Sequence, residues 1–204
     1  MFKKDTVTRG WGLLETFLSR LRTGKANALI PEKARAGNIL DIGSGATPFF
    51  LKTIKFNKKY GLDKFSDYPG SDLVNGIKLK RWDVASQTTL PFDNESMDVI
   101  TMLAVFEHID TNKVVDLILE TRRVLTPRGA LILTVPSGWT DPILKLLATV
   151  GMLSAVEVYD HKDRYSLSKI VKILEKGGFK TTQIEGGYFE LGMNIWIRAS
   201  KGVH

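Results

Sequence analysis

The sequence predicts a doubly wound α/β domain with a mostly parallel sheet, and three observations carry the prediction. From Gly37 onward short apolar runs alternate with segments of helical period. A glycine-containing turn, Gly43-Ser44-Gly45, follows the first of these runs. Aspartates then stand at or just past the ends of successive runs, at Asp41, Asp63 and Asp83. A chain of 204 residues is long enough to bury one full core.

Residues 38–42, 59–62, 98–103 and 130–135 read as buried strands, and a further strand ends at Asp83 after Lys80-Arg81-Trp82. Residues 110–125 form the clearest helix. Val114, Leu117, Ile118, Thr121, Val124 and Leu125 make its inner stripe, Asp110 or Thr111 caps it, and Pro127-Arg128-Gly129 stops it. A second helix spans 166–176, with Leu167, Ile170, Val171 and Leu174 inward and Gly177-Gly178 at its C-terminus. Residues 180–184 and 194–199 follow as two closing strands, antiparallel to each other across Gly186-Gly187. Ahead of the sheet, Trp11, Leu14, Phe17, Leu18 and Leu21 recur at helical spacing, so an amphipathic helix is expected over 11–22. The domain division is 1–36, an N-terminal helical extension or lid, and 37–204, the sheet-bearing domain.

Composition closes several doors. With no cysteine there are no disulfides, thiolate metal sites or cysteine nucleophiles. The basic start at Lys3-Lys4 leads into no apolar signal core, and the charge-free apolar stretch 146–156 falls short of the roughly 20 residues a spanning helix needs. A cytoplasmic protein is the expectation. Lys and Arg number 29 against 22 Asp and Glu, for a net charge of +7, and eight of the basic residues lie between Lys3 and Arg35. That surplus fits either an anionic partner or a solvated helical surface.

The turn after the first strand lets a ligand approach the backbone, with helix N–H groups behind it. Asp63, 18 residues past Gly45, stands where a doubly wound sheet brings an acid to a ribose diol. Asp83 would lie beside an adenine amino group. A nicotinamide cofactor is disfavoured, because the third glycine of G-x-G-x-x-G falls at Pro48. Asp41 would also repel a pyrophosphate, yet it suits a ligand bearing ammonium and sulfonium charges.

These residues resemble class I S-adenosylmethionine-dependent methyltransferases of the small-molecule type, the group that includes the ubiquinone-biosynthesis enzymes. The resemblance covers residues 37–204. It rests on Leu40-Asp41-Ile42-Gly43-Ser44-Gly45, Gly61-Leu62-Asp63, Leu90-Pro91-Phe92-Asp93, Ser96-Met97-Asp98-Val99-Ile100, Phe106-Glu107-His108-Ile109 and Arg123-Val124-Leu125-Thr126-Pro127-Arg128-Gly129. It implies a Rossmann-like seven-stranded sheet of order 3-2-1-4-5-7-6, the last strand antiparallel, with helices on both faces. It implies S-adenosylmethionine as cofactor and S-adenosylhomocysteine as product. Asp41 and the Gly43-Ser44-Gly45 backbone would serve the methionine part, Asp63 and Lys64 the ribose, Asp83 and Val84 the adenine. Leu103 and Ala104 would lie near the sulfonium. The family's further glycine is Thr47 here, a departure that bears on the shape of the loop.

On the acceptor side His108 is the candidate general base, with a loop-holding role as the alternative. The resemblance puts a metal-binding glutamate of some relatives at Ala104, so no metal is expected. His161, Arg164 and Tyr165 are placed near the acceptor, or else anchor the following helix. Nucleic acid is disfavoured as a substrate: the Asn/Asp-Pro-Pro-aromatic motif is missing at Thr101-Met102-Leu103-Ala104, and cytosine C5 chemistry needs a cysteine. The expected reaction is methyl transfer to a small-molecule or lipophilic acceptor. A noncatalytic cofactor-binding protein and a methyltransferase acting on RNA or protein are the alternatives. Residues 142–158, rich in apolar side chains, together with the basic N-terminal helix, suggest a lid that docks weakly on an anionic membrane surface.

Overall fold

A computed structural model describes residues 15–45, 47–64, 73–74, 76–140 and 165–202. The chain runs α1 (Glu15–Leu29), β1 (Asn38–Ile42), α2 (Phe49–Thr53), β2 (Lys58–Asp63), β3 (Leu73–Val74) and β4 (Ile77–Arg81). It continues β5 (Met97–Leu103), α3 (Thr111–Val124), β6 (Leu125–Pro136), α4 (Leu167–Lys176), β7 (Ile184–Phe189) and β8 (Asn194–Ser200). The strands lie in the order β3-β4-β2-β1-β5-β6-β8-β7. Setting aside the two-residue β3, which adds antiparallel to the β4 edge, this is the 3-2-1-4-5-7-6 sheet the resemblance implied. β8 runs antiparallel to both β6 and β7, and the other pairings between long strands are parallel.

Strand alternation sends apolar side chains to two helical layers. On one side Leu40, Ile42, Ile100, Met102, Leu131 and Leu133 pack with Val114, Leu117 and Ile118 of α3 and Ile170 and Leu174 of α4. On the other, Ile39, Val99 and Ile132 pack with Ala26 and Ile30, while Phe50, Leu51 and Ile54 cover Ile77 and Leu79. The α3 stripe is buried as its period requires. In α4 the buried residues are Ile170, Ile173 and Leu174, with Leu167 and Val171 half-buried. Ser166 caps α4, its hydroxyl accepting from the Lys169 N–H at 3.3 Å.

Several sequence expectations need correction. β7 begins at Ile184 and not at 180, where Thr181–Gln183 form a 3-10 turn. Gly186 and Gly187 sit inside the strand, opposite Ile197 and Trp196. They are small because neighbours lie close: a Cβ on Gly186 would come within 2.8 Å of Leu167, and one on Gly187 within 3.0 Å of the Trp196 indole. The first helix spans Glu15–Leu29, so residues 1–14 of the expected helix and lid lie outside the described residues. Its inner face is Ala26 followed by Ile30, whereas Phe17 and Leu21 of the expected apolar stripe point outward. The helix therefore joins the sandwich through its C-terminal half. Residues 141–164, which contain most of the expected lid with His161 and Arg164, also lie outside the described residues. Among the described residues no helix is long and apolar enough to cross a membrane.

Candidate cofactor site at the strand ends

β1 lies between β2 and β5, and the connections from these strands diverge to opposite faces, so a crevice opens at their C-terminal ends. The chain leaves β1 through Gly43 and Gly45, both left-handed at φ +79° and +70°. The Gly43 and Ser44 N–H groups donate to the Leu62 carbonyl at 2.7 and 3.1 Å, which binds the turn to the end of β2. A Cβ on Gly43 would come to 2.2 Å from Val105 Cγ2, whereas one on Gly45 would meet nothing nearer than 3.9 Å. The turn is thus closed on its β5 side and open above Gly45. The helix behind it is shorter than the sequence suggested, and Pro48, at its N-cap, has no N–H to offer.

Asp63 ends β2, and its Oδ2 accepts from the Gly45 N–H at 2.9 Å, so one carboxylate both shapes the turn and faces the crevice. Lys64 follows, and its charge reaches Asp83. Asp83 stands two residues beyond β4. Its oxygens accept from the Ala85 N–H at 3.0 Å and the Ser86 hydroxyl at 2.6 Å, closing the turn that leaves the strand. Partial burial opposes ionisation there, but these hydrogen bonds and the Lys64 charge hold the carboxyl below its usual range. Val84 is buried beneath that turn among the core residues.

Asp41 is buried inside β1, its Oδ1 accepting from the Thr101 hydroxyl at 2.6 Å. Burial is the largest influence on it. With the charge of Asp63 adding and the Thr101 hydrogen bond opposing, its pKa is pushed up to about 7. Sequence reasoning missed Thr101. The available signal was a hydroxyl within the otherwise apolar run Val99-Ile100-Thr101-Met102-Leu103.

β5 ends at Leu103, half-buried beside the crevice, and Ala104 takes a left-handed conformation at φ +56° with its N–H donating to the Thr134 carbonyl at 2.9 Å. That reversal starts the 3-10 turn Phe106–His108, in which Glu107 is buried and His108 half-buried. Tyr165 is buried, with its ring centroid 5.1 Å from that of Phe106. The structure brings Asp41, Gly43, Ser44, Gly45, Asp63, Lys64, Asp83, Leu103, Ala104 and His108 to one end of the sheet, with Tyr165 in the wall beneath. The loop from β4 to β5 is stapled by Arg123, whose guanidinium donates to the carbonyls of Leu90 and Phe92 and to Glu120 of its own helix. An open pocket of about 430 Å³, lined by Asn38, Tyr60, Phe92, Ser96 and their neighbours, lies at the opposite end of the strands.

A turn of this shape at the switch point, with acids within β1 at Asp41, at the end of β2 at Asp63 and just past β4 at Asp83, defines a ligand-binding domain of the doubly wound class. The family model described as a methyltransferase domain matches residues 14–184, and the chain belongs to that family. Three solved structures are similar in fold. A SAM-dependent methyltransferase of Thermotoga maritima has TM-score 0.67 and 18% identity, over 94% of this chain and 92% of that one. An Archaeoglobus fulgidus SAM-dependent methyltransferase has 0.66 and 15%, over 92% and 97%. One from Mesorhizobium loti has 0.64 and 16%, over 87% and 96%. No curated protein matches the chain in sequence.

Proposed function

We propose that the protein transfers a methyl group from S-adenosylmethionine to a small-molecule or lipophilic acceptor. The observation that carries this reading is the left-handed Gly43 to Gly45 turn held by Asp63, with the buried carboxyl of Asp41 under it. The donor set fits the cofactor. Its ribose diol calls for a carboxylate, its ammonium and sulfonium call for negative charge nearby, and the opening above Gly45 leaves room for close approach. When bound, S-adenosylmethionine supplies a methyl group already activated on sulfur.

The chain's own residues then align, exclude water and move a proton. Asp63 holds the ribose hydroxyls while keeping the turn in shape. Leu103 and Ala104, half-buried at the end of β5, would give the bound sulfonium an apolar neighbour. His108, on the turn that Ala104 begins, accepts a proton from an acceptor that must lose one. The resemblance to the ubiquinone-biosynthesis group supports a lipophilic acceptor.

Titration calorimetry tests the reading. The protein is expected to bind S-adenosylmethionine and S-adenosylhomocysteine but not NAD. Asp63→Ala should weaken binding by about 1.5 to 3 kcal/mol, because charge-assisted hydrogen bonds are lost. Equal affinity for NAD, or an unchanged Asp63→Ala variant, would remove it.

A further inference from the structure

The large apolar side chains that stand exposed are not scattered. Of the six among the described residues, Phe17 (57%), Leu21 (39%), Trp139 (56%) and Leu191 (96%) belong to one corner of the molecule. Trp139 follows β6, and its indole N–H donates to the Gly192 carbonyl at 3.1 Å, which seats it on the β7–β8 turn that carries Leu191. The Ser137 hydroxyl donates to the same carbonyl at 2.7 Å and fixes that junction. α1 reaches the same place from the side: Lys25 lies over the Trp196 ring at 4.2 Å, and the charge of Arg22 acts on Glu190. Phe17 stands about 14 Å of helix beyond the buried Ala26, with Arg22, whose charge acts on Glu190, between them.

Leu191 is costly twice over. It is fully in solvent, and it holds φ +56° between Glu190 at +52° and Gly192 at +83°, a conformation that glycine or asparagine adopts more easily. Neither the fold nor the solvent calls for leucine at that tip. On α1 the outward stripe is Phe17, Arg20, Leu21, Gly24 and Ala28, apolar and small residues with a cation among them. Between residues 16 and 31 the chain has Arg20, Arg22 and Lys25 and no acid, and Glu190 of the turn is met by Arg22 and by the Asn194 amide.

An apolar cluster of aromatic and aliphatic side chains edged by Arg and Lys is the composition that settles into the headgroup region of an acidic bilayer. We propose that this corner, formed by Phe17, Leu21, Trp139 and Leu191 with Arg20, Arg22 and Lys25, docks the protein peripherally on an anionic lipid surface. Docking there turns the strand ends, and so the crevice, toward the bilayer from which a lipophilic acceptor would come. The docking itself does not rest on methyl transfer, and it is measured without cofactor.

The experiment is flotation of the full chain with vesicles of phosphatidylcholine alone or mixed with an equal part of phosphatidylglycerol, at low and high salt. Binding is expected to the mixed vesicles, to weaken at high salt, and to be near background with phosphatidylcholine. Leu191→Asn suits the left-handed tip, so with Phe17→Ser it should keep the thermal melt of the parent while reducing vesicle binding at least about tenfold. Arg20→Glu should reduce binding and flatten its salt dependence. No flotation with acidic vesicles at low salt would overturn the proposal. So would a folded Phe17→Ser/Leu191→Asn variant that floats like the parent, or sedimentation showing that these substitutions dissolve a dimer and change nothing at vesicles. Cofactor calorimetry on the same samples separates failure here from failure of the methyltransferase reading.

Discussion

Asp41→Asn is expected to make the protein more stable and a poorer cofactor binder. The parent carboxyl is 4% exposed, and burial raises its pKa from 3.8 to about 7. Between those values the folded state holds a proton that the unfolded chain has released, so stability falls as pH rises from about 4 to 7 and then levels. At about 1.4 kcal/mol per pH unit the span corresponds to up to about 4 kcal/mol. Asparagine keeps the shape and can accept the Thr101 hydroxyl hydrogen bond, but it does not ionise. Urea denaturation of the cofactor-free protein from pH 5 to 8 should show the parent declining relative to the variant, which leads at pH 8. Cofactor affinity has the opposite sign, because a cationic ligand favours the ionised carboxyl. Parent affinity for S-adenosylmethionine should rise through pH 7, whereas the variant should bind more weakly with no such rise. Parallel stability curves, or a variant less stable at pH 8, would refute the reasoning.

Gly43→Ala should cost at least about 2 kcal/mol of stability, since φ +79° and the 2.2 Å approach to Val105 are both unsuited to a Cβ. Adding Val105→Ala should recover the steric part and leave the backbone part, as denaturation midpoints would show. His108→Ala should lower kcat by about 10²-fold while S-adenosylhomocysteine binds as before, once an acceptor that must lose a proton is in hand. Loss of the melt in that variant would mark the histidine as a structural holder of its turn.

The central sheet was legible because buried parallel strands are written as short, almost wholly apolar runs, as in Ala130-Leu131-Ile132-Leu133-Thr134-Val135. α3 was legible because its period is complete. Gly186-Gly187 misled because glycine marks both turns and places where another group crowds the backbone, and only packing against Leu167 and Trp196 decides between them. The start of the sandwich was missed for a related reason. α1 is buried through Ala26, with Ile30 just beyond it and Leu29 half-buried, while the bulky Phe17 and Leu21, which set the apparent period, face outward. At the site, spacing along the chain located Asp63 and the glycine turn, because both lie at strand ends. The Asp41 to Thr101 hydrogen bond joins residues 60 positions apart across neighbouring strands, and no local pattern announces it.

The position of β8 between β6 and β7 makes the β7 edge depend on a single strand. Among the described residues β7 pairs with β8 alone, although it comes first along the chain. Its only link to the parallel centre through strand hydrogen bonds is β8, so β7 belongs to the sheet as the outer arm of a hairpin. β7 can peel away at the Glu190 turn without breaking a β6 hydrogen bond, leaving β8 as a temporary edge. The corner bearing Leu191 therefore sits at the hinge of an arm of the sheet that can open without disturbing β6.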